Sequence, residues 1–105
     1  MSKPKIEGGG QTLKTKGNSN YWLYGDDIEE GEDNIELHRK SDSKLLWAGD
    51  ITKVMGKKAK VKLEYKGKDK SGYGPGDLEY VIVTVTNSDG TSDPYDDTVI
   101  VDGPT

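Results

Sequence analysis

Period-two alternation of apolar and polar side chains is the feature that most limits what this chain can become. Ala59, Val61, Leu63 and Tyr65 alternate with Lys60, Lys62 and Glu64, the pattern of a strand with one face buried and the other in water. From Leu78 to Thr86, Val81, Val83 and Val85 line one face while Tyr80, Ile82, Thr84 and Thr86 line the other. Both faces carry apolar or β-branched groups, so this stretch is predicted to be a central strand. Thr98 to Val101 reads as a third, and Gly103-Pro104 ends it.

The rest of the chain repeats the theme in shorter pieces. Ile6 opens an extended segment that Gly8-Gly9-Gly10 is expected to end, and Gln11 to Lys16 alternates with Leu13 and Thr15 on one face and Lys14 and Lys16 on the other. Gly17-Asn18-Ser19-Asn20 reads as a turn, and Tyr21 to Tyr24 as a brief aromatic strand. Asn34 to Arg39 points Ile35 and Leu37 inward with Glu36 and His38 outward, and Leu45-Leu46-Trp47 follows, then Ile51 and Val54. Trp47 is assigned to the core. No long helical period occurs, although Asp26 to Glu36 has room for one helical turn. Short strands at regular spacing, joined by Gly, Asn, Asp and Pro clusters, imply antiparallel pairing. The expectation is an all-β, antiparallel β-sandwich of about seven strands.

Length and charge narrow the function classes. The 105 residues suit one domain, and with 30% hydrophobic residues and no Phe its core must be thin. There is no Cys, which excludes disulfides, thiolate chemistry and a Cys-ligated zinc site. Met1-Ser2-Lys3-Pro4-Lys5 lacks the apolar run of a secretory signal; read as a native start, it implies synthesis in a cytosol. No segment is apolar enough to span a bilayer. The net charge of -4 and the isoelectric point near 4.9 argue against nucleic acid as a partner. Charge is nevertheless segregated: an acidic block from Asp26 to Glu36, a lysine block from Lys53 to Lys70 and an acidic tail from Asp89 to Asp102. Such blocks are usually solvated faces, and they also permit docking by charge complementarity.

The C-terminal third resembles the IPT/TIG branch of immunoglobulin-like domains. The similarity lies in Val81-Ile82-Val83-Thr84-Val85-Thr86-Asn87, the Gly-containing turn Ser88-Asp89-Gly90, and the closing strand Thr98-Val99-Ile100-Val101. Ile6, Gly8-Gly9-Gly10, Leu13, Thr15 and Gly17 look like the opening strands and glycine-rich joint of that family. Val81 stands where the family usually has an aromatic residue, and Tyr21 to Asp33 has no counterpart in it. The resemblance implies an immunoglobulin-like sandwich. Modules of this kind occur in bacterial surface proteins and in the heads and tails of tailed phages.

Catalytic machinery is not legible. The single His, His38, sits between Leu37 and Arg39 on the polar side of an expected strand, with no nucleophile placed by sequence beside it. Gly8-Gly9-Gly10 lacks the lysine and helix of a phosphate loop. Asp89, Asp93, Asp96 and Asp97 are the weak candidates for a hard cation such as Ca²⁺, without the spacing of an EF-hand. No cofactor is implied. The binding candidates are the aromatic residues Tyr21, Trp22 and Tyr24, with Tyr73, Lys66, Lys68 and Lys70 from a Gly- and Lys-rich loop. The functional expectation is a non-catalytic structural or binding module. It is read first as a virion accessory protein of a tailed phage, in a capsid-decoration or tail role with a protein partner, assembled in the host cytoplasm. The alternative is a carbohydrate- or surface-binding module of a larger secreted bacterial protein, acting outside the cell.

Overall fold

A computed structural model describes residues 2–10, 12–67 and 73–102. Every regular element in them is a strand: β1 (Lys5–Gly10), β2 (Thr12–Lys14), β3 (Asn18–Asp26), β4 (Gly31–Arg39), β5 (Leu45–Met55), β6 (Lys58–Tyr65), β7 (Pro75–Asn87), β8 (Gly90–Thr91) and β9 (Tyr95–Asp102). They lie in the order β1-β3-β6-β5-β4-β7-β9-β2, with β8 paired to β7 off this path. All pairings are antiparallel except that of β2 with β9. Because β1 runs along β3 while β2 runs along β9, the N-terminal stretch touches both ends of the sheet and rolls it nearly into a barrel. The all-β expectation holds.

The inward sets read from the alternations of β4, β6 and β7 form the core, and one face each of β3 and β9 joins them. Tyr21 and Leu23, Ile35 and Leu37, Ala59, Val61 and Leu63, Val81, Val83 and Val85, and Val99 and Val101 are all buried. Trp47 joins them, its ring edge-to-face with Tyr65 at 5.2 Å between centroids. Its Nε1–H donates to the Lys14 carbonyl at 3.0 Å. This satisfies the indole inside an apolar interior and ties β5 to β2. Burying these side chains is the main favourable term in folding such a lean chain.

Four local expectations change. Gly8-Gly9-Gly10 does not end the first strand but lies in β1, paired with Tyr24, Leu23 and Trp22. Gly9 is required there, because a Cβ at that position would overlap the Tyr21 hydroxyl. The turn expected at 17–20 is tighter, since β3 already begins at Asn18. The pieces Leu45-Leu46-Trp47 and Ile51/Val54 fuse into β5, whose pairing with β6 shifts register between Ile51 and Lys53. Asp26 to Glu36 forms no helical turn; it is the end of β3, a connection and the start of β4. Ile28 in that connection is buried. Asn34 fills the resulting gap in the β4–β5 ladder, where its Nδ2 donates to the Glu29 carbonyl at 2.9 Å and its Oδ1 accepts from the Ile51 N–H at 3.0 Å. Asp27 and Asp33 take positive φ on either side, as short polar side chains tolerate.

Candidate functional site

The candidates named from sequence separate into interior, surface and undescribed groups. Tyr21 is a correction. Its side chain is fully buried and its hydroxyl donates to Asp97 Oδ2 at 2.6 Å, linking β3 to β9. Burial first, then the bond to Asp97 and its charge, hold the phenol far above its ordinary ionisation range. Tyr21 is thus a structural tie with no surface to offer a ligand.

Tyr73 is also not a free loop tip. It packs edge-to-face on Tyr65 at 6.2 Å, and its hydroxyl donates to Glu79 at 2.7 Å while accepting from Arg39 at 3.4 Å. Burial and Glu79 push its pKa up to about 12, although Arg39 pulls the other way. Arg39 in turn bonds Asp42 at 2.9 Å and stands 3.7 Å from Glu79. The hydrogen bond to Tyr73 is the largest influence raising the guanidinium's own pKa. Lys66 reaches Glu64 at 3.3 Å and borders an open depression with Arg39, Leu45, Tyr65 and Gly67. Lys68 and Lys70 lie outside the described residues.

Three of the four aspartates considered for a cation are directed at separate partners. Asp93 pairs with Lys3 at 2.9 Å, Asp96 with Lys40 at 3.0 Å, and Asp97 accepts from Tyr21. The ammonium of Lys3 holds the Asp93 carboxyl below its usual range. Among the described residues no three His, Asp or Glu side chains converge on a point that would hold a metal. His38 lies opposite Ile82 and Leu45 in the ladders of β7 and β5.

Trp22 and Tyr24 are what remains of the aromatic cluster at the surface. Alternation in β3 turns both away from the core, with Trp22 half-buried and Tyr24 exposed. Their cross-strand partners on β6 are Lys60 and Lys58. The Lys58 ammonium stands 4.1 Å from the Trp22 ring centroid and 6.0 Å from that of Tyr24, a cation–π arrangement. On the other side β1 places Gly10 opposite Trp22 and Gly8 opposite Tyr24. The aromatic pair therefore lies between the glycine stretch of β1 and a strand carrying lysines.

A second surface was not singled out from the sequence. Leu78, Tyr80 and Ile100 are 59%, 60% and 46% exposed. They are contiguous by register, since Leu78 pairs with Ile100 and Tyr80 with Thr98. Ile82, opposite Asp96, extends the stripe towards His38. The signal was present in the two-sided apolar character of Leu78–Thr86. That character correctly placed β7 between β4 and β9, yet its outer face is open to water and not covered.

No protein-family model and no curated protein matches this sequence. Among the described residues, no helix is long and apolar enough to cross a membrane.

Proposed function

We propose that this chain is a non-catalytic, immunoglobulin-like accessory module that docks on a larger protein assembly, in the manner of a tailed-phage decoration or tail protein. The observation that carries this reading is the contiguous exposed stripe Leu78, Tyr80 and Ile100 on the outer face of β7 and β9. Isolated surface leucines are ordinary, but a joined apolar stripe on a chain with so few apolar residues is expensive to leave in water and marks an interface. Asp102 lies on the same strand, whereas Asp96 is already paired with Lys40, so the fitting partner is an apolar protein surface with a basic residue facing Asp102.

Strand order supports the immunoglobulin-like part. Counting β1 and β2 as one divided strand and leaving aside β8, the first, second, fifth and fourth strands are neighbours, as are the third, sixth and seventh. That is the order of the two sheets in constant-type immunoglobulin domains. Here β4 and β5 are also paired, which joins the two halves, and the buried Trp lies on the fourth strand.

The test is co-sedimentation of the tagged protein with the phage particles made from the genome that encodes it. The wild-type protein is expected to pellet with particles, and Leu78→Asp/Ile100→Asp, which alters exposed groups only, to remain in the supernatant with an unchanged melting curve. Wild-type protein left in the supernatant, or a double variant that still pellets, would overturn the reading.

A second reading is a saccharide-binding surface module, favoured by the Trp22–Tyr24 pair beside Gly8 and Gly10. A half-buried indole and an exposed phenol with an open flank can take the C–H face of a sugar ring.

A further inference from the structure

The face around Trp22 carries more positive charge than folding explains. On it, β6 presents Lys58, Lys60 and Lys62 in alternate positions, about 13 Å from first to last. β5 adds Lys53, opposite Lys60. None of these four lysines is ion-paired among the described residues, whereas Lys3, Lys40, Lys57 and Lys66 all are. Four unpaired ammonium groups beside two aromatic rings, in a protein of net charge -4, are a local reversal of the molecule's overall field.

The backbone contributes to the reversal. Alternation along β5 from the inward Ile51 would turn Lys53 towards the interior. The register shift between Ile51 and Lys53 leaves Thr52 as the extra residue, its hydroxyl donating to the Lys60 carbonyl at 3.0 Å, and returns Lys53 to the outer face. There it opposes a like charge, a pairing that costs stability. A bulge that re-aims one side chain is a common device near binding sites. β1 supplies the complementary feature: a Cβ at Gly10 would meet nothing within 4 Å, and one at Gly8 only Tyr24. The flank of the aromatic pair is an open trough.

Resting on the saccharide reading of this face, we infer that it binds an acidic polysaccharide, carboxylated or sulfated, with Trp22 and Tyr24 stacking on sugar rings and Lys53, Lys58, Lys60 and Lys62 taking the anionic groups. Carboxylates bound the stripe at both ends. Asp50 and Glu64 lie around Lys62, and Asp26 and Glu7 flank Lys57. A ligand that presents a few anionic groups over about 13 Å fits a short cationic stretch closed in this way. The Lys58 ammonium stands over the Trp22 ring, 4.1 Å from its centroid, so a sugar stacking on that face displaces it towards the ligand's anionic group.

The experiment is affinity electrophoresis of the purified protein in gels containing heparin, polygalacturonate, dextran or oligothymidylate, followed by calorimetric titration with the polymer that retards it. Heparin or polygalacturonate is expected to retard the protein, and to do so less as salt rises; the two arms tell sulfate from carboxylate. Trp22→Ala and Lys53→Glu/Lys60→Glu should each weaken binding roughly tenfold or more, at unchanged urea midpoints for the lysine pair. Tyr24→Leu, on an exposed site, gives a stacking variant less exposed to folding effects. Equal retardation by dextran would defeat the inference while leaving the saccharide reading standing. Retardation by neither acidic polymer, preference for oligothymidylate, or lysine variants that bind as wild type would each overturn it.

Discussion

Replacing Tyr21 by Phe removes one oxygen from the interior and tests whether the β3–β9 tie matters for stability. The hydroxyl donates to Asp97 Oδ2 at 2.6 Å, short enough to be a charge-assisted bond. Hydrogen bonds to charged groups contribute about 1.5–3 kcal/mol net. Asp97 is only partly buried and its Oδ1 also accepts from the Thr98 N–H at 2.9 Å, so water can take the place of the phenol on the other oxygen. The lower end of that range applies, and Tyr21→Phe should cost about 1–2 kcal/mol at pH 7. For a domain of this size that is a fall in Tm of about 5–10 °C.

The same bond predicts a pH dependence with a definite sign. Burial and Asp97 raise the folded-state pKa of Tyr21 above its unfolded value near 10. A group raised in this way contributes stability that is complete below the unfolded pKa and is lost as pH climbs beyond it. At pH 11 the unfolded chain can release the Tyr21 proton and the folded one cannot, which removes about 1.4 kcal/mol. Urea titrations at pH 7, 9 and 11, followed by tryptophan emission, measure both effects. The loss between pH 9 and pH 11 should be smaller in Tyr21→Phe than in wild type by about that amount, while the titrating lysines affect both proteins equally. A variant within about 0.3 kcal/mol of wild type at pH 7, or one with an undiminished alkaline loss, would refute the reasoning.

Three other substitutions probe the interior, each read from a urea midpoint. Trp47→Phe leaves a cavity beside Tyr65 and strips the Lys14 carbonyl of its donor, and should cost about 2–4 kcal/mol. Gly9→Ala forces a methyl against the Tyr21 hydroxyl and should cost about 1–3 kcal/mol, with the penalty reduced in a Tyr21→Phe background. Thr15 Oγ1 is buried with no hydrogen-bond partner among the described residues, so Thr15→Val should stabilise by about 1 kcal/mol.

The interior was far more legible in the sequence than the surfaces. A strand's inward set follows from period two alone, so Val81, Val83, Val85, Val61 and Leu63 could be assigned without knowing their neighbours. The same logic put Tyr21 and Trp22 on opposite faces but could not say which face was buried. That depended on β3 lying between β1 and β6, which is long-range information. The glycines misled for a related reason. Read locally, three in a row end a strand, yet the ladder to β3 holds them extended. The contacts of Tyr73 were not legible because they come from Tyr65, Arg39 and Glu79, none of which sequence spacing brings near.

Lys53 shows most clearly why a surface resists reading from the sequence, and it permits a test in which stability and binding move in opposite directions. In the alternation after Ile51 it belongs to the inner set; only the Thr52 bulge brings it out to face Lys60. If the bulge existed for packing alone, the residue it exposes would be chosen for a favourable cross-strand pair, and a second lysine is the wrong choice. Lys53→Glu converts the pair from repulsive to attractive. At low ionic strength it should raise stability by about 0.2–1 kcal/mol, a gain that shrinks in molar salt as the exposed charges are screened. The same variant should be retarded less than wild type in heparin or polygalacturonate gels. Thermal melts at low and high salt, run beside those gels, separate the alternatives. A more stable protein that binds less well is what a residue kept for its ligand produces; an unchanged or lower Tm at low salt would mean that Lys53 and Lys60 do not repel across the ladder, and the argument from charge placement would fail with it.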